Sequence, residues 1–320
     1  MSGSDRRDIF STHAPTPIQK LSFPLLEEKK VSLYVKRDDL IHPLVSGNKW
    51  RKLKYNVYHA LEYDIGRLLT FGGAYSNHIH AFAAVCSLYS LDGVVVIRGE
   101  PYEKLNPTLQ YVKDCGVHIQ YISREQYRKR DSVQFLDALK KKWGDFFLIP
   151  EGGSNTLAVT GVKELVSEVE TQLNGKPDVI VSAVGSGGTL AGIVEGLNKG
   201  QTAVGISVLK GAEDLENRVR RLAPGAIQKS WLINHDYCFG GYARFSDELI
   251  VFMKNFSADT AIPLEPIYTA KMFFGLLDMI SNDRFDPGSI IVALHSGGLQ
   301  AMQGLEERYP QTFLGYTSWT

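Results

Sequence analysis

The stretch DVIVSAVGSGGTLAGIVEGL, residues 178–197, decides the architecture. An unbroken apolar, β-branched run stops at Gly185, Ser186, Gly187, Gly188 and Thr189, and an apolar segment follows that opens as a helix. A strand apolar on both faces belongs to a parallel sheet covered by helices, and such sheets bind ligands where a strand's carboxyl end turns into a helix. Glycines there let backbone amides close around an anion, and the positive helix terminus favours phosphate. A turn that only packs helix on strand is the plainer alternative. The dinucleotide fingerprint is excluded because Leu190 stands where GxGxxG needs its third glycine, and no Lys-Ser or Lys-Thr follows to make a Walker loop. A phosphate held at this turn is therefore expected to belong to a cofactor other than a nucleotide.

The same alternation extends in both directions. RLLTFGG (67–73), NHIHAFAAVCSLY (77–89), GVVVIRG (93–99), NPTLQYVKDCG (106–116) and VHIQYIS (117–123) read as strand, helix, strand, helix, strand, and a charged helix is expected over 124–142. A second series runs from DFFLIPEGG (145–153) through the helical TLAVTGVKELVSEVETQL (156–173), the opening stretch and the strand AVGISVLKG (203–211); SIIVALHSGG (289–298) is a last strand entering a helix. The expected class is α/β, with two doubly wound open-sheet domains.

Composition narrows the function. With 35 basic and 35 acidic residues the net charge is zero, which argues against a broad surface for nucleic acid or anionic lipid and for a small-molecule ligand. Cys86, Cys115 and Cys238 are odd in number and have no metal-binding spacing, which suits a reducing, cytoplasmic setting; no metal is expected. No run is long and apolar enough for a signal peptide or a membrane span.

Other junctions offer chemistry. In LLTFGGAYSNHIHAFAAVC, Ser76 and Asn77 are either helix caps or, with His78, donors for a carboxylate. Ser296 in LHSGGLQAM is a cap or a site residue, Tyr268 and Thr269 open an apolar helix in LEPIYTAKMFFGLL, and Tyr242 lies in CFGGYARF. In SGNKWRKLKY (46–55), a solvated helix face accounts for Arg51, Lys52 and Lys54 but not for Lys49 beside the turn residues Gly47 and Asn48. A lysine of pKa roughly 10.4 is a poor nucleophile, yet desolvation lowers it and Schiff-base formation makes it an anchor. A phosphate cup with such a lysine, and without a nucleotide motif, points to pyridoxal 5'-phosphate.

Taken together, SGNKWRKLKY, GGAYSNHIHAFAA, VGSGGTLAG, LEPIYTAKMFFGLL and LHSGGLQA stand in the order and spacing of one family. Over nearly its whole length the chain resembles the pyridoxal-phosphate enzymes that include 1-aminocyclopropane-1-carboxylate deaminase and D-cysteine desulfhydrase. That resemblance implies the fold of the tryptophan synthase β subunit. Residues 1–51 and 153–320 would form a large cofactor-binding domain and 52–152 a small mobile one, in a homodimer. It implies Lys49 as the cofactor-linked lysine, Asn77 beside the ring hydroxyl, Val184 to Thr189 as the phosphate cup and Ser76, Asn77 and His78 at the substrate carboxylate. Tyr242 and Tyr268 would serve as nucleophile or proton relay.

Two departures matter. Thr269 replaces the glutamate that faces the pyridine nitrogen in the cyclopropane deaminases, so a hydroxyl from Thr269 or Ser296 would meet a neutral ring; His78 replaces an expected glutamine. A weaker electron sink suits a good leaving group. The expected reaction is α,β-elimination of D-cysteine or another β-substituted amino acid to an α-keto acid and ammonia, with cyclopropane ring opening as the alternative. A non-catalytic binder of pyridoxal phosphate or of a nucleotide is the reading from another class.

Overall fold

Two sheets form in the computed structural model, which describes residues 8–12, 14–313 and 316. In chain order, β1 (Ile18–Lys20) and β2 (Ser32–Lys36) enter the larger sheet, and β3 (Arg67–Gly72), β4 (Asp92–Arg98), β5 (His118–Ile122) and β6 (Phe147–Ile149) build the smaller one. The chain then returns to the larger sheet with β7 (Val179–Val184), β8 (Thr202–Ser207), β9 (Ser230–Asn234) and β10 (Ile290–Leu294). The orders are β1-β2-β10-β7-β8-β9 and β5-β4-β3-β6, parallel throughout except for the β1–β2 pair.

Each sheet reverses its direction of winding once. From β7 the chain steps through β8 to β9, whereas β10 lies on the other side of β7; from β3 it steps to β4 and β5, whereas β6 lies on the other side of β3. The crevices at β7/β10 and β3/β6 are the switch points at which α/β sheets bind ligands.

β7 shows why its sequence is apolar throughout. Ile180 and Val184 pack with Val162, Leu190 and Ile193 on one face, while Val181 and Ala183 pack with Met272, Phe273 and Leu276 on the other. Both faces are helix-covered, so alternation disappears. Each fully buried aliphatic or aromatic side chain here contributes about 1.5–3 kcal/mol.

The Asn48–Glu62 helix corrects one expectation. Arg51 and Lys52 are 0% and 1% exposed, not solvated, because this helix is enclosed. Arg51 Nε meets Asp38 at 2.6 Å and its Nη2 meets Glu168 at 2.8 Å, while Lys36 reaches Glu168 at 3.1 Å; Lys54 pairs with Glu164 at 2.8 Å. This network fastens the lysine-bearing helix to β2 and to the Thr156–Leu173 helix. Removing one member of a buried pair costs about 3–5 kcal/mol.

Other differences are local. The charged segment over 124–142 is two helices, Arg124–Arg128 and Val133–Trp143, because Ser132 accepts the Phe135 amide as an N-cap and restarts the chain. After β10 the chain runs through left-handed Gly297 and Gly298 before helix resumes at Ala301. Residues 1–7 and 13, part of the stretch read as lacking a signal peptide, lie outside the described residues.

Candidate active site at the two switch points

The two switch points share one cavity of about 660 Å³. Its wall takes Gly73, Ser76, Asn77 and His78 from beyond β3, Glu151, Gly152 and Ser154 from beyond β6, Val184–Gly187 and Thr189 from beyond β7, and Ser296–Gly298 from beyond β10. Lys49, Lys52, Tyr242 and Tyr268 complete it, so most of the residues expected from the sequence converge here. Gly188 and Thr269 do not line it.

Lys49 is placed by a backbone contact. Asn48 N–H donates to Ser296 O at 3.1 Å, and a Cβ on Gly47 would fall 1.9 Å from that oxygen, so only glycine at φ +65° fits. Asn48 Nδ2 donates to Thr189 Oγ1 at 2.8 Å, which ties the start of the lysine helix to the start of the Gly188–Gly196 helix. Lys49 Nζ donates to Asn48 Oδ1 at 3.0 Å, and desolvation pulls its pKa down to about 8.

Lys52 was missed by the sequence reading. Its Nζ donates to Gly152 O and Ser154 Oγ at 3.0 Å and to Ser186 Oγ at 3.4 Å, within the glycine turn. Burial, with Lys49 nearby, holds its pKa well below the ordinary lysine value. A lysine one helical turn beyond Lys49, on the same helix face, was the available signal. A Cβ on Gly188 would stand 2.5 Å from Ser154 Oγ and 3.0 Å from Lys52 Nζ, so Gly188 acts from behind the wall by leaving room for both.

At the end of β3, Ser76 caps the Asn77–Tyr89 helix by accepting the amides of His78 and Ile79 at 3.2 and 3.4 Å, leaving its hydroxyl proton free to donate. His78 departs from expectation. Thr70 Oγ1 donates to Ile149 O at 2.7 Å, so its contact with His78 Nε2 at 2.8 Å has the imidazole as donor. His78 Nδ1 is then a buried lone pair with no partner among the described residues, and burial beside Lys49 and Lys52 keeps the ring neutral. An acceptor of this kind does not hold a carboxylate; Ser76 and Asn77 carry the donors.

Thr269 is likewise corrected. Its hydroxyl accepts from the Glu265 amide at 2.9 Å and lies 3.2 Å from both Glu265 O and Oε1. Glu265, fully buried, accepts the amides of Ile267, Tyr268 and Thr269 at 2.7–2.9 Å and lies outside the cavity lining. The hydroxyl that does reach the wall on this side is Ser296.

Tyr242 and Tyr268 meet edge to face with centroids 6.0 Å apart. Burial raises the Tyr268 phenol well above its ordinary value, so it is protonated at neutral pH and can donate, whereas Tyr242 is 41% exposed. Tyr242 rides on a loop whose Phe239, Gly240, Gly241 and Ala243 all have positive φ, and buried Lys271 holds that loop through Cys238 O at 2.9 Å and Gly241 O at 2.7 Å.

The donor set can be tested against pyridoxal phosphate. Two cavity lysines with no carboxylate against them among the described residues, one of them buried inside a glycine and serine turn at a helix start, suit a dianionic phosphate. The other, a desolvated amine tied to a single amide oxygen, suits an aldehyde.

The family described as pyridoxal-phosphate dependent enzyme matches residues 9–297. A Thermotoga maritima protein named "Putative 1-aminocyclopropane-1-carboxylate deaminase" is 36% identical over 300 residues, 89% of this chain and 94% of that one. An Arabidopsis thaliana protein named "Bifunctional D-cysteine desulfhydrase/1-aminocyclopropane-1-carboxylate deaminase, mitochondrial" is 31% identical over 309 residues, 90% of this chain and 77% of that one. A crystal structure described as an ACC deaminase homologue aligns with a TM-score of 0.80 at 29% identity, covering 93% of each chain. Family match, relatives and cavity agree: the chain belongs to the pyridoxal-phosphate-dependent enzymes, among the 1-aminocyclopropane-1-carboxylate deaminases and D-cysteine desulfhydrases.

Proposed function

We propose that the chain catalyses α,β-elimination of a β-substituted small amino acid, with D-cysteine giving pyruvate, ammonia and sulfide. The observation that carries this reading is Thr269. It stands where the ring-opening deaminases place a carboxylate, and the nearest carboxylate, Glu265, is committed to three backbone amides. With the Ser296 hydroxyl, and neither Thr269 nor Glu265, reaching the wall on that side, the site favours a substrate whose β-substituent departs easily, such as thiolate.

Pyridoxal phosphate, when bound, supplies an aldehyde for the amine and a ring that delocalises carbanion electrons. The chain's own residues do the rest. Lys52, Ser186, Thr189 and the unpaired amides of the Gly188 helix start hold the phosphate, and Lys49 holds the aldehyde end and moves the proton at the α-carbon. Ser76 and Asn77 receive the carboxylate at a helix N-terminus. The protonated Tyr268 and Tyr242 donate toward the departing group.

The smaller sheet lies within residues 52–152, the span assigned to a mobile domain, and it contributes Ser76, Asn77 and His78 to the site. A cytoplasmic homodimer belongs to the same proposal, supported by the three free thiols and by the family.

The test is product analysis. Purified protein is incubated separately with D-cysteine, L-cysteine and 1-aminocyclopropane-1-carboxylate, and pyruvate, sulfide and 2-oxobutyrate are measured. Pyruvate with sulfide from D-cysteine supports elimination; 2-oxobutyrate from the cyclopropane with no sulfide from cysteine overturns it.

A further inference from the structure

Beside the first cavity lies a second, of about 750 Å³, which shares Gly73, Arg98, Arg130, Glu151, Arg218 and Tyr242 with it. Six arginines reach the wall of this second cavity against one carboxylate, Glu151, in a chain whose net charge is zero; of the six, Arg218 is paired with Asp214 of the first cavity's wall at 3.2 Å. The excess of positive charge is therefore local. A cleft lined by one sign of charge focuses its field and concentrates ligands of the other.

Arg98 is the centre of the imbalance. It ends β4, and its guanidinium lies over the Tyr127 ring at 5.5 Å, where Arg130 also arrives, at 4.8 Å. Arg130 is answered by Glu151 at 3.1 Å, whereas no carboxylate pairs with Arg98 among the described residues. Arg98 is solvent-exposed at the end of β4, so its guanidinium is open to a ligand that enters the cleft. A Cβ on Gly73 would stand 3.9 Å from Arg98 Nη2, so the guanidinium sits at the rim common to both cavities, beside the loop that carries Ser76 and Asn77.

The geometry points to a second anion site at this rim, centred on Arg98, that takes an acidic group on the substrate's β-substituent: a carboxylate, sulfonate or phosphate. A guanidinium fork is suited to all three, since each offers two oxygens in its plane. The word substrate rests on the elimination reading above. For a substituent X, the carbon–X bond breaks with its electron pair leaving on X, the α-proton is lost, and water supplies the keto oxygen. The products are pyruvate, ammonium and HX, and no oxidant or reductant is needed.

The test uses the holoenzyme and pairs of near-isosteric probes. Aspartate and glutamate are titrated calorimetrically against asparagine and glutamine, each as both enantiomers. At least one acid is expected to bind tenfold or more tightly than its amide, Arg98→Gln to erase that preference, and Arg98→Lys to restore part of it. Equal binding of acids and amides, binding of neither, or a preference that survives in Arg98→Gln overturns the second anion site. β-Chloroalanine, whose leaving group is chloride, is assayed in parallel for pyruvate with the unaltered enzyme. Its failure to react counts against elimination alone and leaves the Arg98 result standing.

Discussion

Lys52→Met separates the hold on the cofactor's phosphate from the covalent hold at Lys49. Lys52 is 1% exposed, its ammonium lies inside the glycine turn, and its partners among the described residues are uncharged, at 3.0, 3.0 and 3.4 Å. A hydrogen bond to a charged group contributes about 1.5–3 kcal/mol, so losing it against phosphate weakens cofactor binding roughly 10- to 100-fold. In the apoprotein the sign reverses. The ammonium is desolvated there without an anion, and Ser154 and Ser186 remain bonded to each other at 2.7 Å after its removal, so the variant is expected to be at least as stable as the unaltered chain. The pH dependence follows from the same cause. Lys52 is held well below 10.5 in the folded state, so between its folded value and 10.5 the unfolded chain binds a proton that the native chain does not. Stability of the apoprotein therefore rises with pH across that window, and the rise shrinks in the variant. The assay is titration of apoprotein with pyridoxal phosphate followed by absorbance, together with thermal unfolding of the apo forms at two pH values. A dissociation constant within twofold of the unaltered chain, or an apo variant less stable by more than about 1 kcal/mol, would refute the assignment of Lys52 to the phosphate.

Because Lys49 is drawn to about 8, the rate of covalent cofactor capture, trapped with borohydride at timed intervals, should rise about fivefold from pH 7 to 8 and level off above 9. A tenfold rise per unit continuing to pH 10 would mean an ordinary lysine. Ser76→Ala should cost about 1 kcal/mol of stability as a lost cap and should weaken amino-acid binding more than cofactor binding, both measured by titration; equal losses would leave Ser76 a cap only. Thr269→Val leaves the Glu265 amide without its hydroxyl partner and should lower stability by about 1–3 kcal/mol in denaturant unfolding while cofactor affinity holds. A large loss of cofactor affinity instead would place the hydroxyl against the ring after all.

The most legible parts of the sequence were those where one physical demand fixes the residue type. The β7 run is apolar because both its faces are covered, and Gly47 and Gly188 are glycine because a Cβ would strike Ser296 O or Ser154 Oγ. Residues whose role depends on distant partners were not legible. Arg51 and Lys52 looked like a solvated face because nothing near them in sequence reveals Asp38, Glu168 or the Gly152–Ser154 turn. His78 looked like a donor until Thr70, on the neighbouring strand, fixed its tautomer. Thr269 looked free to reach a ring because its tie to Glu265 is a three-dimensional fact of the helix start. β9 escaped notice because it is an edge strand with exposed alternate positions, so it lacks the apolar run that marks β7.

The most direct test of the central claim is to locate the cofactor's covalent attachment. Two lysines one helical turn apart line the cavity, and the geometry distinguishes them: Lys52 is tied into the phosphate turn by three contacts, whereas among the described residues Lys49 is held by its neighbour Asn48 alone. The holoenzyme is reduced with borohydride, digested, and its peptides sequenced by mass spectrometry. Modification of Lys49 alone is the predicted result. A label on Lys52, or on a lysine outside the cavity, would contradict the account of the site.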